Sequence, residues 1–200
     1  DLILEYAVCS ITVAIGWSGY LVNLLAGIGI IIPAWMCTPP FNLPAFIIVS
    51  LITALLVIGI RESAKFNNAI VIVKLAVILF FIIFGASFIR PENWNPFMPF
   101  GWTGVMTGAA IVFFAYIGFD AVSTTAEETK NPQRNLPIGI IVSLVVCSTL
   151  YIIVALVLTG IIPVMDYADN QSFLSAPIAF ALNVIHQDWA SGIISVGAVM

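Results

Sequence analysis

The chain has 200 residues, of which 62% are hydrophobic and only 8% are charged, and its formal net charge is −4 at pH 7. A soluble domain carries about 25% charged residues, so water is not the solvent for most of this surface. The sequence has no basic patch, which excludes nucleic acid as a partner, and its three cysteines do not suggest a disulfide framework. We therefore expect a protein whose partner is the lipid bilayer.

Apolar segments recur along the chain at the length that a membrane helix needs, about 17–25 residues. Five complete segments and the beginning of a sixth predict an all-α integral membrane fold with a single transmembrane domain over 1–200. The predicted spans are 6–32, 44–60, 66–89, 102–126, 136–162 and, incomplete, 189–200. Because the chain starts without an initiator methionine and ends inside a span, we expect an internal fragment.

Lysine and arginine in the connecting loops predict the orientation, because cytoplasmic loops carry the excess of both residues. Loops 61–65 and 127–135 each hold two of them, whereas every other connecting loop holds one or none. We expect these two loops in the cytoplasm. The predicted outer loops are 33–43, 90–101 and 163–188, the last with a short amphipathic helix over 177–185.

The most unusual stretch is 107–137, in which an apolar segment is crowded with aromatic residues and contains a carboxylate. Residues 113–119 read FFAYIGF, and Asp120 follows directly. A carboxylate in a membrane helix is costly and usually faces a bundle interior or a water-filled cavity, so Asp120 indicates a substrate or ion pathway. Gly118 lowers helix propensity by about 1 kcal/mol relative to alanine. A break in the helix is therefore predicted over 113–119.

This stretch also resembles a known family. FFAYIGFD followed by AEETKNPQRNLP is similar to the sixth membrane helix and following cytoplasmic loop of the amino acid–polyamine–organocation (APC) transporters. EYAVCSITVAIGWSGYLVNLL, RESAKFNNAIVIVKLAVILFF and NWNPFMPFGWTGVMTGAA resemble the cationic amino acid transporters and their bacterial homologues, in the expected order. The resemblance implies a fragment of a LeuT-like inverted-repeat transporter bundle, from about helix three to the start of helix eight.

The resemblance further implies secondary active transport of amino acids across the plasma membrane, by alternating access around the broken helix. It implies no enzyme activity, no cofactor and no metal. Backbone carbonyls at the break would receive the substrate ammonium group, and Tyr116 or Phe119 would shape or gate the pocket. The glycine-rich helix that receives the substrate carboxylate in the family is not in this sequence. The expected substrate-binding residues are Phe114, Ala115, Tyr116, Ile117, Gly118 and Phe119.

Lys74 lies about 12 Å along the predicted third helix and has apolar neighbours on both sides. One interpretation is that its side chain reaches the cytoplasmic surface, as lysines near helix ends do. The resemblance favours another, in which Lys74 occupies the place of a sodium ion in sodium-driven relatives. We therefore expect proton coupling through Lys74. Asp120 is a possible partner, although a structural role for Asp120 is equally open.

Two other functions fit parts of the sequence. A channel or a non-transporting sensor could use the same fold. An intramembrane serine protease is suggested by residues 16–19, which read GWSG and match the short motif of rhomboid enzymes around Ser18. A nucleophilic serine needs a base within hydrogen-bond reach, and the only histidine, His186, lies in a predicted outer loop. Close helix packing is the simpler interpretation of Gly16 and Gly19.

The orientation can be tested by labelling single cysteines in intact cells with a membrane-impermeant thiol reagent. The variants Asn67→Cys and Gln133→Cys should be protected, because both positions lie at cytoplasmic helix ends. Asn170→Cys should react, because it lies in an outer loop. The opposite pattern of labelling would show that the orientation is the reverse of the predicted one.

Overall fold

The computed structural model describes residues 2–37, 41–58, 64–116, 118, 129 and 131–200, and within these ranges it contains helices and no strand. The prediction of an all-α fold is therefore confirmed. Three 3-10 turns, Ala34–Met36, Pro91–Trp94 and Phe113–Tyr116, lie between the α-helices. The α-helices are α1 (Leu2–Gly27), α2 (Leu43–Ile58), α3 (Ala64–Ala86), α4 (Gly101–Val112), α5 (Pro132–Ile161), α6 (Val164–Tyr167), α7 (Gln171–Ser175), α8 (Pro177–Val184) and α9 (Asp188–Val199).

Three of these helices are long and apolar enough to cross a membrane, by length and composition: Ile3–Gly27 in α1, Asn67–Ala86 in α3 and Pro132–Ile161 in α5. Two further apolar helices, α2 and α4, are shorter. In the fourth predicted span, 102–126, the helix α4 ends at Val112, and residues 117 and 119–126 lie outside the described part. Many large apolar side chains on these helices are exposed, as a surface facing lipid requires.

A polar cluster joins α1 to α8 and α9 in the interior. The side-chain amide nitrogen of Asn23 donates to Ser195 Oγ at 2.8 Å and to Ser191 Oγ at 3.2 Å. Asn183 Nδ2 donates in turn to Asn23 Oδ1 at 3.2 Å. Because Ser191 and Ser195 are almost completely buried, each hydroxyl needs a partner there, and Asn23 supplies one to both.

The apolar core lies beside this cluster, where α3 and α5 pack against α7, α8 and α9. Its buried members are Phe81, Val157, Ile161, Ile162, Phe173, Ala181, Leu182, Ala190 and Ile194. Trp189 at the start of α9 contacts Phe80 and Phe84 of α3 edge to face, with ring centroids 5.8 and 5.1 Å apart. These aromatic contacts hold α3 beside α9. The buried residues of this core include none from α4.

The segment between α3 and α4 is bonded to the end of α5. The backbone N–H of Arg90 and the side-chain amide of Asn93 both donate to the carbonyl of Gly160, at 2.9 and 2.8 Å. Trp94 Nε1 donates to Thr159 Oγ1 at 3.1 Å. Since the last carbonyls of a helix have no partner within it, this segment satisfies one that the end of α5 leaves open, the carbonyl of Gly160.

The short helix predicted over 177–185 is present as α8, and it is packed into the protein. Ala179, Ala181 and Leu182 on its buried side are inaccessible to solvent. Two residues after the end of α8, His186 has a left-handed conformation with φ of 60°. The N–H of Gln187 donates back to the Leu182 carbonyl at 2.8 Å. This bonding pattern is a Schellman motif, which gives His186 a role in ending the helix.

Gly19 and Gly16 differ sharply in what surrounds them. A Cβ added at Gly19 would lie 2.9 Å from the backbone carbonyl carbon of Ser175 in α7, whereas a Cβ at Gly16 would meet no atom within 4 Å. The predicted packing role therefore holds for Gly19, and the described residues leave space around Gly16.

We expect Gly19→Ala to lower the stability of the purified protein in detergent by about 1–3 kcal/mol, because α1 and α7 must separate to accept the methyl group. Gly16→Ala is the matched control, since it adds the same group to the same helix in open space. Thermal unfolding of both variants measures the difference. Equal melting temperatures would show that the approach of α7 to α1 does not require glycine.

Candidate functional site

The backbone leaves the α-helical conformation in the segment for which the sequence predicted a break. The helix α4 ends at Val112, and the chain continues as the 3-10 turn Phe113–Tyr116. Gly118 follows with φ of +111°, a conformation that side-chain-bearing residues rarely adopt. A change from α to 3-10 geometry inside a membrane segment is frequent at functional hinges.

The turn is attached to α5 by two tyrosines. Tyr116 Oη donates to Ser148 Oγ at 3.0 Å, and Tyr151 Oη donates to the backbone carbonyl of Ala115 at 3.3 Å. The two tyrosine rings also meet edge to face, with centroids 5.5 Å apart and an interplanar angle of 86°. Ser148 and Tyr151 are three residues apart, so they lie on the same face of α5.

Of the predicted substrate-binding residues, the described part contains four. Phe114, Ala115 and Tyr116 lie in the 3-10 turn, and Gly118 lies just beyond it. Three other predicted site residues, Ile117, Phe119 and Asp120, lie outside the described residues. Among the predicted ligand groups, the carbonyl of Ala115 is thus the one with a hydrogen-bond partner given above, the hydroxyl of Tyr151.

Lys74 lies near the middle of α3, with its side chain exposed in this chain. It precedes Val77 by three residues, so the two share a face of the helix. Val77 packs against α9, where a Cβ added at Gly197 would lie 2.7 Å from its Cγ1. Lys74 therefore lies about one helical turn from the contact between α3 and α9. Its predicted relation to Asp120 involves a residue outside the described part.

A model of the amino acid permease family matches residues 2–200. The chain belongs to the amino acid permease family. The predicted membership of the APC transporters is therefore confirmed, and both the family and the relatives described next are transporters rather than enzymes.

Individual permease relatives align over the whole of this chain. It is 52% identical to the methylthioribose transporter of Bacillus subtilis and 48% identical to the branched-chain amino acid permease BcaP of the same organism, covering 44% of each. It is 40% identical to the chloroplastic cationic amino acid transporter 9 of Arabidopsis thaliana, covering 36% of it. The chain therefore spans less than half the length of these relatives.

The surroundings of Ser18 in this permease chain do not favour a serine nucleophile. Ser18 is 3% exposed, its hydroxyl donates to the Ile15 carbonyl at 2.7 Å, and it accepts from Asn42 Nδ2 at the same distance. Asn42 Oδ1 also accepts from the backbone N–H of Ala45 at the start of α2. Ser18 and Asn42 thus hold the beginning of α2 against α1, which is a structural role.

Ser148 and Tyr151 were not among the residues predicted for the site. The sequence carries one signal that points to them, since hydroxyl groups in an apolar membrane helix need hydrogen-bond partners. Their spacing of three residues places both hydroxyls on one side of α5. The sequence does not indicate that the partner would be the turn after α4, because that pairing joins positions more than thirty residues apart.

We expect Gly118→Leu in the full-length permease to abolish substrate binding without preventing membrane insertion. A residue with a Cβ at this φ strains the backbone by about 1–3 kcal/mol, and the larger side chain adds bulk beside the predicted ligand carbonyls. Substrate binding by the purified protein and its yield in the membrane fraction are measured together.

Gly108→Leu is the matched control, because an added Cβ meets no atom within 4 Å at either glycine, whereas only Gly118 has a positive φ. This variant should bind substrate normally. Wild-type affinity in Gly118→Leu would remove Gly118 from the site.

Proposed function

We propose that the protein containing this chain carries amino acids across the plasma membrane by secondary active transport, with the turn after α4 forming part of the substrate site. The observation that supports the proposal most directly is the hydrogen bond from Tyr151 Oη to the carbonyl of Ala115. It shows that this carbonyl can be reached by a donor from outside its own segment. A carbonyl inside a regular helix is normally occupied by the helix itself.

The chemistry of an amino acid fits this arrangement. An ammonium group offers three N–H donors and no acceptor, so it requires several oxygen atoms around it. In transporters, unwound segments near the bilayer midplane supply such oxygens as backbone carbonyls. We assign the ammonium group to the carbonyls of Phe114, Ala115 and Ile117, with Tyr116 or Phe119 closing the pocket.

We further propose that transport is coupled to protons through Lys74, by alternating access. Its position, near the middle of α3 and one turn from the contact with α9, suits a group whose surroundings change when the helices move. A charged Lys74 would brace the neighbouring helices, and a neutral one would release them. Asp120 is the proposed electrostatic partner.

The 52% identity to a methylthioribose transporter supports methylthioribose as a second candidate substrate. Methylthioribose is a sugar without an ammonium group, so backbone carbonyls would bind it through its hydroxyl groups only. The branched-chain permease and the cationic transporter favour an amino acid instead.

Uptake by the full-length protein in proteoliposomes tests the function directly. The panel should contain cationic, branched-chain and acidic amino acids together with methylthioribose. We expect saturable uptake of an amino acid that is stimulated by substrate on the opposite side, as a carrier requires. Uptake of methylthioribose alone would reject the proposed substrate class, and flux without saturation or counter-flow would indicate a channel.

For coupling, we expect amino acid uptake that does not require sodium and that an inward proton gradient stimulates. Lys74→Ala should retain substrate exchange but lose accumulation driven by the gradient, because the group that takes up the proton is gone. Lys65→Ala removes the same charge nine residues earlier on α3 and should remain coupled. Strict sodium dependence, or full proton-driven accumulation in Lys74→Ala, would contradict this mechanism.

A further inference from the structure

The hydroxyl of Tyr151 occupies a position that the proposed function assigns to the substrate. It donates a hydrogen bond to the carbonyl of Ala115 at 3.3 Å, and this carbonyl is one of those proposed to receive the substrate ammonium group. The inference below therefore rests on the proposed function. Tyr151 projects from α5, a helix separate from the turn that carries the carbonyl.

The turn has further attachments to α5 besides this hydroxyl. Tyr116 makes its own hydrogen bond to Ser148 at 3.0 Å, and its ring packs edge to face against the ring of Tyr151. Phenylalanine at position 151 would preserve the ring contact and the bond to Ser148. Removing the hydroxyl of Tyr151 would thus remove the hydrogen bond to the Ala115 carbonyl. The ring contact and the bond from Tyr116 to Ser148 would still hold the turn.

We propose that the hydroxyl of Tyr151 takes the place of the substrate ammonium group while the carrier is empty. Its hydroxyl satisfies the Ala115 carbonyl until an ammonium group arrives and competes for the same oxygen. Hydrogen bonds from a charged donor are shorter and about twice as strong as neutral ones, so the ammonium group displaces the hydroxyl. When the substrate leaves, the hydroxyl returns to the carbonyl and assists release.

This exchange affects only ligands that bond to the Ala115 carbonyl. The hydroxyl of Tyr151 weakens the binding of any ligand that must displace it, because the bond that is lost is the same for each of them. The corresponding carboxylic acid with hydrogen in place of the amino group makes no bond to this carbonyl. Its binding therefore does not depend on the hydroxyl of Tyr151.

The test is Tyr151→Phe in the full-length protein, assayed for uptake of a transported amino acid. Removing the competing donor should lower KM about two- to tenfold, the range that one net hydrogen bond represents. The maximal rate should fall as well, because release leaves the carbonyl without its donor. Inhibition by the carboxylic acid that has hydrogen in place of the amino group should not change, because this ligand does not bond to the carbonyl.

Ser148→Ala is the comparison variant, since it removes a hydroxyl from the same face of α5 that bonds to Tyr116 rather than to the carbonyl. We expect no fall in KM for this variant. If Tyr151→Phe does not reach the membrane, Tyr151→Leu also lacks the hydroxyl and is assayed in the same way.

An unchanged or raised KM in Tyr151→Phe would overturn the inference and leave Tyr151 as a support for the turn. An equal gain for the amino acid and the carboxylic acid that has hydrogen in place of the amino group would also overturn it, because the effect would not depend on the ammonium group. Both results leave the proposed function intact. Wild-type protein that takes up no amino acid would reject the proposed function itself, and the inference with it.

Discussion

The amide of Asn23 is the interaction on which the arrangement of the described helices depends. It bonds to Ser191 and Ser195 of α9 and accepts a bond from Asn183 of α8, so one side chain of α1 joins three helices. In lipid, no hydrophobic effect drives helices together, because the lipid chains are as apolar as the side chains. Helices associate there through close packing and through polar bonds between them. Gly19 provides the close packing on the same helix, where the backbone of α7 approaches α1. The polar cluster and this close approach together hold the helices α7, α8 and α9 on one side of the bundle.

The candidate site is attached to this frame in a different way. No residue of α4 is buried in the described part of the chain. The turn that follows α4 is held by two tyrosine hydrogen bonds and one aromatic contact with α5. Among the described residues, side-chain contacts with α5 thus hold the turn, whereas the polar cluster and the apolar core join the other helices.

The sequence predicted the features that depend on local composition. Long apolar runs predicted α1, α3 and α5, because a membrane helix is defined by about 20 apolar residues in succession. Gly118 among aromatic residues predicted the loss of α-helical structure after Val112. The resemblance of several stretches along the chain to the APC transporters predicted the permease family. The contacts of the site were not predictable, since the partner of Ala115 is a side chain on another helix. The predicted substrate-binding residues 114–119 and the predicted coupling residues Lys74 and Asp120 all remain predictions as site residues.

By itself, the sequence determined the class of the protein, the approximate position of its long helices α1, α3 and α5, and the place where the chain leaves the α-helical conformation after α4. These properties follow from hydropathy and backbone preference, which act over neighbouring residues. Only the tertiary structure decided which hydroxyl bonds to the Ala115 carbonyl, which glycine of the 16–19 segment is a packing contact, and which serines Asn23 satisfies. Each of these joins residues far apart in the chain. The physical reason is that such a contact depends on the rotation and height of two helices relative to each other, and packing between helices sets both.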